Sequence, residues 1–270
     1  MAEPELVGAR ADAASMQTQY RDSSKLARRA NIYKYGSSPI SWFTWVAREA
    51  GLPDGADVLD VGCGPGLLWG AAEFPPGLAI TLTDSSEGMV AEALPRVREM
   101  RRYRSVEGQL ADAMALPFAD ASFDAVLACH MLYHVREPEA AIDEMIRVLR
   151  PGGVIIVTTN GSDNMGAMYA LAHAAWGASA SDPGGASFGL EAADAALKAR
   201  LRAVEVATFR NVLRVTDGED IVATLTSYPP GEYATEAQLK ELRAMIAKRM
   251  VEQDGVFSIL TRQGLVKGRK

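Results

Sequence analysis

The sequence predicts an α/β protein in which helices cover both faces of a mostly parallel sheet. Between residues 57 and 159, five short apolar segments alternate with helix-like segments. This alternation is typical of parallel strands joined by right-handed crossovers. Two further strands are predicted at residues 205–215 and 256–266, which brings the doubly wound sheet to seven strands. An apolar content of 48% over 270 residues is sufficient for a sizeable core.

The first predicted strand and the turn after it organise the chain. Residues 58–61 are apolar at three of four positions and mostly β-branched, as in a buried parallel strand. Gly62, Gly64 and Gly66 then follow at alternate positions, and a helix-like segment begins at Leu67. Glycines permit a tight turn and the close approach of a ligand to the backbone. The sequence therefore predicts a ligand-binding turn here.

The other strands of the parallel set follow in order. A helix opens after the second strand, with Ser85 or Ser86 as its N-cap. The helical link after the third strand is only weakly indicated. The second to fifth strands are predicted at residues 78–83, 103–110, 123–129 and 154–159.

We divide the chain into four segments by composition. Residues 1–50 are expected to form an N-terminal helical lid, broken by a turn at residues 36–39. Residues 51–161 form the ligand-binding core of alternating strands and helices. An apolar helical insertion at residues 162–204 covers the substrate, and residues 205–270 supply the closing strands and helices of the core.

Polar residues lie at or near the ends of four successive predicted strands: Asp60, Asp84, Asp112 and His130. In open α/β sheets, ligands bind beyond the carboxyl ends of the strands. Each residue alone could be a helix cap or a solvated turn residue. Four at equivalent ends, with a glycine turn among them, predict one binding site.

Five motifs carry a resemblance to a known family. They are Val58–Gly66, Leu82-Thr83-Asp84, Ala111-Asp112-Ala113, the pair Leu116-Pro117-Phe118 and Phe123-Asp124, and Leu149–Gly153. Together they resemble the class I S-adenosylmethionine-dependent methyltransferases, most of all the small-molecule branch that includes ubiquinone and menaquinone methyltransferases. The resemblance covers about residues 40–160. It implies a Rossmann-like methyltransferase fold with a helical lid, S-adenosylmethionine as the cofactor, and methyl transfer to a small organic acceptor such as an amino acid, a keto acid or a specialised metabolite.

The same resemblance assigns the cofactor contacts. The backbone of the three glycines would lie along the methionine part, oriented by Asp60. Asp84 would accept hydrogen bonds from the ribose hydroxyls, and Asp112 from the adenine amino group. The remaining cofactor contacts that it implies are Ser85, Met89, Ala113, Met114 and Cys129.

Candidates for the chemistry are fewer. A base is needed only if the acceptor must lose a proton. His130 and His134 flank the end of the fourth strand and are the first candidates, with Tyr20 of the N-terminal lid after them. A structural histidine held by local hydrogen bonds is the alternative for each. The candidate substrate contacts are Arg28, Tyr33, Tyr133, Asn160 and His173.

Other classes of protein are disfavoured. The net charge of −6 argues against nucleic acid or an anionic membrane as the main partner. No Cys/His cluster has metal-ligand spacing, so no metal is expected. The two cysteines fit a reducing compartment, and the polar N-terminus does not resemble a signal peptide. We therefore expect a cytoplasmic enzyme that acts on a small molecule without a membrane span. The sequence does not indicate its oligomeric state.

Three alternatives stay open on the sequence. An enzyme of the same fold could use S-adenosylmethionine itself as its substrate, for example by ring closure without methyl transfer. An NAD-dependent oxidoreductase is disfavoured because the glycine spacing differs from Gly-x-Gly-x-x-Gly. A non-catalytic binding module would retain the fold and the cofactor residues without turnover.

Overall fold

Seven strands form one mixed sheet in the order β3-β2-β1-β4-β5-β7-β6. The structure, a computed structural model, describes residues 23–71 and 73–270. Strands β1 to β5 run parallel, and β7 is antiparallel to both of its neighbours. The strands are β1 (Asp57–Val61), β2 (Ala79–Asp84), β3 (Ser105–Leu110), β4 (Phe123–Cys129), β5 (Leu149–Asn160), β6 (Ala203–Val215) and β7 (Phe257–Arg269).

Helices cover both faces of this sheet. One core, formed by inward side chains of β1, β4 and β5, packs beneath α5 and α8. The opposite core lies beneath α2, α3 and α4. The helices are α1 (Ser24–Ala30), α2 (Trp42–Ala50), α3 (Leu67–Ala71), α4 (Glu87–Glu99), α5 (Pro138–Val148), α6 (Gly166–Trp176), α7 (Pro183–Phe188), α8 (Leu190–Lys198), α9 (Gly218–Leu225) and α10 (Glu236–Glu252).

The order of strands reverses between β1 and β4. From β1 the chain moves outward to β2 and β3, then returns to β4 on the other side of β1. The helices that follow β1 and β4 therefore leave in opposite directions, and a crevice opens between them at the carboxyl ends. The fold thus places the residues that follow Val61 and Cys129 at one position.

Strands β6 and β7 extend past the rest of the sheet as a two-stranded ribbon. Residues 263–269 of β7 pair with β5, and pairing with β5 ends at Asn160 and Gln263. Residues 257–262 of β7 pair only with β6, from Arg210 to Val215. Because β7 runs antiparallel to β5, this free part of the ribbon projects beyond the carboxyl ends of the parallel strands.

A third hydrophobic core packs on that projecting ribbon. It contains Leu213 and Val215 of β6, Phe257 and Ile259 of β7, and apolar side chains of α6, α9 and α10. Ile32, from the 3₁₀ turn at residues 31–35, is fully buried in it. The roof over the carboxyl ends is therefore built from the N-terminal, insertion and C-terminal segments together.

Polar contacts through Asp220 hold the N-terminal segment to the roof. One carboxylate oxygen of Asp220 accepts a hydrogen bond from Asn31 at 2.8 Å. The other accepts from Tyr35 at 2.6 Å and pairs with Lys34 at 2.8 Å. Asn31 and Lys34 are exposed, and Tyr35 and Asp220 are partly exposed. The attachment of residues 31–35 therefore combines one buried side chain with several solvent-accessible contacts.

The predicted α/β fold with a seven-stranded, mostly parallel sheet is confirmed. One local feature differs from the sequence-based expectation. The link between β3 and β4, for which a helix was weakly indicated, is a series of turns. Within the insertion, the short helix α7 is capped by the Asp182 side chain, which accepts from Gly185 N–H at 2.8 Å.

Candidate functional site

The glycine turn after β1 has a conformation that glycine adopts most easily. Gly62, Gly64 and Gly66 have φ values of 67°, 52° and 73°, in the left-handed region that other L-residues rarely enter. A Cβ atom on Gly62 would meet the side chain of Met131 at 2.7 Å, whereas one on Gly64 would meet nothing within 4 Å. The turn therefore leaves open space beside Gly64.

Gly66 is required for packing as well as for conformation. A Cβ atom there would lie 3.0 Å from Val97 Cγ2 and 3.1 Å from the Cα and Cβ atoms of Ala93. Both residues belong to α4 and are fully buried. Gly66 thus lets α4 approach the turn, and α4 begins directly after the polar end of β2.

Replacement of Gly66 by alanine is expected to destabilise the fold beyond the effect of backbone strain. Gly77 has a similar φ of 75° but open space around its added Cβ atom, so Gly77→Ala is a matched control. Strain should cost each variant about 1–2 kcal/mol. Overpacking should cost Gly66→Ala about 1–3 kcal/mol more. Urea unfolding of both variants measures the difference, and equal losses of stability would contradict the packing role.

Asp84 at the end of β2 ties the glycine turn to the start of α4. Its Oδ2 accepts a hydrogen bond from Gly64 N–H, and its Oδ1 accepts from Ser86 N–H, both at 2.9 Å. Burial raises the pKa of this carboxyl, and the N–H groups of Ser86 and Gly64 partly oppose that rise. Each carboxylate oxygen has two lone pairs, so each can accept one further hydrogen bond. Two vicinal hydroxyl groups are a natural partner.

Asp60 is a buried carboxylate with one free oxygen. The residue is 1% exposed, and its Oδ2 accepts from the indole N–H of Trp69 at 2.7 Å. Its Oδ1 is buried without a hydrogen-bond partner among the residues that the structure describes. Burial raises the pKa of Asp60 to about 7, against the opposing effect of the Trp69 hydrogen bond. An unpaired carboxylate oxygen of this kind suits a cationic ligand group.

The segment after β3 forms the outer part of the site. Asp112 is exposed, and its Oδ1 accepts from Met114 N–H at 2.9 Å. Ala113 is buried, and Met114 is half-buried. Met89 in the first turn of α4 is fully buried, while Ser85 is exposed and Ser86 is the N-cap. These residues border the side of the site away from β4.

The residues present fit S-adenosylmethionine. Asp60 Oδ1 offers an unpaired buried acceptor for an ammonium group, and Asp84 retains acceptor capacity for a ribose diol. The open space beside Gly64 allows a ligand to lie against the backbone. Residues 59–157 match the protein family described as "Methyltransferase domain". This part of the chain is therefore similar to known methyltransferase domains.

Similar proteins agree with this assignment of the methyltransferase domain. A demethylmenaquinone methyltransferase of Staphylococcus aureus is 35% identical over 137 residues, which cover 50% of this chain and 55% of that protein. The chain thus spans about half the length of that curated relative. Solved structures share the fold: a putative methyltransferase from Bacillus halodurans has a TM-score of 0.60 at 19% identity and covers 86% of this chain and 99% of its own. The [4+2]-cyclase SpnF has a TM-score of 0.53 at 21% identity, with 95% of each chain covered.

His130 follows β4 at the candidate site and has an unusual backbone conformation. Its φ is 53°, a value for which histidine is enriched among non-glycine residues. The Gln263 amide nitrogen lies 3.3 Å from His130 Nε2. An amide nitrogen only donates, so Nε2 accepts and the ring proton resides on Nδ1. Burial lowers the pKa of His130 to about 4. The ring is neutral near pH 7 and presents an N–H donor.

His134 and Tyr133 continue the site from His130. The rings of Tyr133 and His134 are 4.4 Å apart, and those of His130 and Tyr133 are 6.3 Å apart. Burial lowers the pKa of His134 to about 3, and the positive charge of Arg29 adds to the shift. Trp42 of α2 packs against His130 from the other side, with ring centroids 5.3 Å apart. An unbroken row of aromatic rings thus lines the carboxyl end of β4.

A buried polar cluster adjoins this row at the end of β5. Asp182, which is 4% exposed, accepts hydrogen bonds from Asn160, Asn164 and Tyr169. Tyr33 lies near it, and burial and the charge of Asp182 raise the Tyr33 pKa. The Tyr33 hydroxyl itself contacts the sulfur of Met165 at 3.9 Å. We name the group Asp182, Asn160, Asn164 and Tyr169 the Asp182 cluster.

Other residues named from the sequence lie farther from this site. Arg28 is exposed, whereas the half-buried Arg29 affects the pKa of His134 and of Tyr228. His173 is exposed at the end of α6, where its Nδ1 is 2.7 Å from the carbonyl oxygen of Ala178. Cys129, by contrast, directly precedes His130 at the end of β4 and is half-buried there. Tyr20 lies outside the described residues.

Sequence reasoning missed three contributors to the site. Trp42 packs on His130, but its apolar side chain does not distinguish it from a core residue. Gln263 gave no signal, since polar residues recur along its strand. Asp182 gave a local one, because Asp before Pro183 is typical of an N-cap followed by proline at the first helical position. That signal does not indicate the distant partners of the side chain.

Two further properties of the described residues concern membrane spans and metal sites. Within residues 23–71 and 73–270, no helix combines the length and the apolar character needed to cross a bilayer. Across the same ranges, no three His, Cys, Asp or Glu side chains are grouped so as to hold a metal ion.

Proposed function

We propose that this chain is an S-adenosylmethionine-dependent methyltransferase that acts on a small organic acceptor. The observation that carries the proposal is the geometry at the ends of β1 and β2. There, an unpaired buried oxygen of Asp60, a doubly anchored Asp84 and open space beside Gly64 meet within one methyltransferase domain. Each of these suits a different part of the same ligand.

The residues divide the binding of the cofactor among them. Asp60 Oδ1 would receive the ammonium group, and the backbone from Gly62 to Gly66 would support the methionine part. Asp84 would hold the two ribose hydroxyls through its remaining lone pairs. Asp112, together with the backbone of Ala113 and Met114, would border the adenine.

Such a reaction requires no covalent bond between the protein and the substrate. The bound cofactor would supply an electrophilic methyl group on a positively charged sulfur. The chain would hold the acceptor in line with the sulfur–methyl bond and exclude water. The electron pair of the broken sulfur–methyl bond would remain with the cofactor when the acceptor bonds to the methyl carbon. Any proton that the acceptor loses would go to His134 or to solvent, because the Nε2 lone pair of His130 is engaged by Gln263.

Calorimetric titration with S-adenosylhomocysteine tests the cofactor assignment. We expect binding near 1 µM, or roughly −8 kcal/mol. Gly64→Ala should weaken binding about tenfold or more, because the new methyl group occupies the space intended for the ligand. Gly77→Ala carries similar backbone strain far from the site and should leave the affinity unchanged. Absence of binding by the wild type, or equal affinity of both variants, would contradict the proposal.

One further experiment separates methyl transfer from the alternatives. Incubation with methyl-labelled S-adenosylmethionine and pools of small molecules should yield a labelled acceptor. Incubation without any acceptor tests the ring-closure alternative, which predicts a product other than that of slow hydrolysis. Binding of NAD in the same titration format would instead favour the oxidoreductase.

A further inference from the structure

Asp182 is a buried carboxylate surrounded by neutral donors. Its Oδ2 accepts from Asn164 Nδ2 at 2.9 Å and from the Tyr169 hydroxyl at 3.2 Å. Asn160 Nδ2 lies 3.1 Å from Oδ1 and 3.2 Å from Oδ2. The backbone N–H of Gly185 completes the set at 2.8 Å. The donors to Asp182 are thus two side-chain amides, one hydroxyl group and one backbone N–H.

This arrangement fixes the orientation of the Asn160 amide. An ionised carboxylate only accepts hydrogen bonds, so Asn160 must present its nitrogen to Asp182. Its carbonyl oxygen therefore points the other way. That atom, Asn160 Oδ1, is buried and has no hydrogen-bond partner in the part of the chain that the structure describes. Buried polar atoms nearly always have a partner, which indicates that a ligand atom or water completes this one.

Asn160 lies beside the centre of the proposed active site. It is the last residue of β5, and Gln263 is its register partner on β7. Side chains of antiparallel register partners share one face of the sheet, with Cβ atoms about 5 Å apart. The Gln263 amide in turn reaches His130 Nε2. Since β5 lies between β4 and β7, Asn160 lies between His130 and Gln263 at the carboxyl ends of adjacent strands.

Tyr228 is a second incompletely paired group next to the cluster. Its hydroxyl approaches that of Tyr169, but it is buried without a hydrogen bond of good geometry to any described residue. Burial raises the pKa of Tyr228, so the hydroxyl stays protonated near neutral pH. The positive charge of Arg29 faces the same group. A second buried polar atom with unused hydrogen-bonding capacity thus lies next to the Asp182 cluster.

We propose that Asn160 Oδ1 receives a hydrogen bond from the methyl acceptor, and that the acceptor therefore belongs to the class of molecules with a hydroxyl or amine N–H group beside an apolar or aromatic body. Asp182 is the positioning residue that orients Asn160. The inference rests on the proposed methyltransferase function and specifies its substrate class. The row of Trp42, His130 and Tyr133 rings supplies the apolar wall.

The chemistry of Asn160 Oδ1 favours such a donor group over an anion at this position. The Asp182 carboxyl group lies one amide away and accepts hydrogen bonds from Asn160, Asn164, Tyr169 and Gly185. An N–H or O–H group directed at Oδ1 would complete its hydrogen bonding, whereas a carboxylate or phosphate oxygen would place two acceptors against each other.

Three small probes of similar size test the proposal on the complete chain. Phenol and aniline each carry a donor on an aromatic ring, and toluene has a methyl group in its place. Their affinities are measured by ligand-observed NMR with the protein saturated in S-adenosylhomocysteine. We expect phenol, aniline or both to bind about tenfold more tightly than toluene, since a site built for a donor rejects its apolar analogue. Comparison of phenol with aniline separates hydroxyl from amine acceptors.

Two variants assign the preference to Asn160. Asn160→Leu should remove the preference for the donor-bearing probes while the affinity for S-adenosylhomocysteine stays unchanged. Thr158→Val is the matched control, because Thr158 lies two residues earlier on the same face of β5, and it should retain the preference. If Asn160→Leu does not unfold cooperatively, Asn160→Ala replaces it.

The outcomes separate this inference from the proposed function. Toluene binding as tightly as phenol and aniline to the wild type would mean that Asn160 Oδ1 meets only water, and the inference would be overturned. A preference that persists in Asn160→Leu would overturn it as well. Failure of the wild type to bind S-adenosylhomocysteine would instead count against the methyltransferase function itself.

Discussion

Loss of folding stability with rising pH is expected to depend on Asp60. The buried carboxyl has its pKa raised from 3.8 to about 7. Between these values the folded chain holds a proton on Asp60 that the unfolded chain has released. The unfolded state therefore binds fewer protons, and the free energy of unfolding falls as pH rises through this window. The Asp60 contribution should fall by roughly 4 kcal/mol and then level off above pH 7.

The comparison with Asp60→Asn isolates this contribution. Asparagine has nearly the same shape, and its carbonyl oxygen can still accept from Trp69, but it does not ionise. Urea unfolding of both proteins at a series of pH values gives the difference in stability, which should shift in favour of the variant as pH rises. His130 and His134 also titrate, but they do so in both proteins. Asp54→Asn, at an exposed turn, is the control that should follow the wild type. A difference that does not depend on pH would show that Asp60 has an ordinary pKa.

Asp60→Asn should also bind S-adenosylmethionine more weakly than the wild type. A cationic group beside Asp60 would favour the ionised carboxylate and lower its pKa, so ligand binding should release a proton near neutral pH. S-adenosylmethionine affinity should therefore increase with pH in the wild type and should lose that dependence in Asp60→Asn. Titrations in two buffers of different ionisation enthalpy measure the released proton directly.

Replacement of Asp84 by alanine is expected to give the largest loss of cofactor affinity. The carboxylate would hold two ribose hydroxyls, and its loss should weaken S-adenosylhomocysteine binding about 100-fold. It also accepts from Gly64 N–H and Ser86 N–H, so the variant should lose about 1–3 kcal/mol of stability through unpaired backbone donors. Calorimetry and urea unfolding measure the two effects separately.

A matched control distinguishes the role of Asp84 from the general loss of a charge. Asp54→Ala removes the same group at an exposed turn near the amino end of β1 and should change neither quantity by more than the experimental error. An Asp84→Ala protein that binds S-adenosylhomocysteine as tightly as the wild type would refute the ribose assignment. Loss of stability without loss of affinity would leave Asp84 as a support of the turn alone.

The part of the site formed by Asp60, Asp84 and the glycine turn could be predicted because it depends on local sequence. Asp60 and Asp84 each follow directly from an apolar strand pattern, and parallel strands present their carboxyl ends at one edge. The glycine turn is likewise encoded within a few residues. The parallel sheet aligns the ends of these short segments. The positions of Asp60, Asp84 and the glycine turn at one edge therefore follow from patterns along the chain.

The part of the site around Asn160 and Gln263 could not be predicted in the same way. The contact between Asn160 and Asp182 spans 22 residues across a helical insertion, and that between Gln263 and His130 spans 133. Trp42 has the large apolar side chain of a core residue, and its contact with His130 depends on how α2 packs. Such contacts depend on how the segments of the roof fit together, which periodicity along the chain does not record.

The continuous ribbon of β6 and β7 anchors the roof to the central sheet. The ribbon runs from the sheet into the roof with unbroken pairing from Ala203–Arg269 to Val215–Phe257. The segment at residues 31–35 is instead held by Ile32 and by solvent-accessible side-chain contacts to Asp220, and exposed ion pairs contribute little to stability. The roof thus combines a scaffold of backbone hydrogen bonds with a segment attached through side chains.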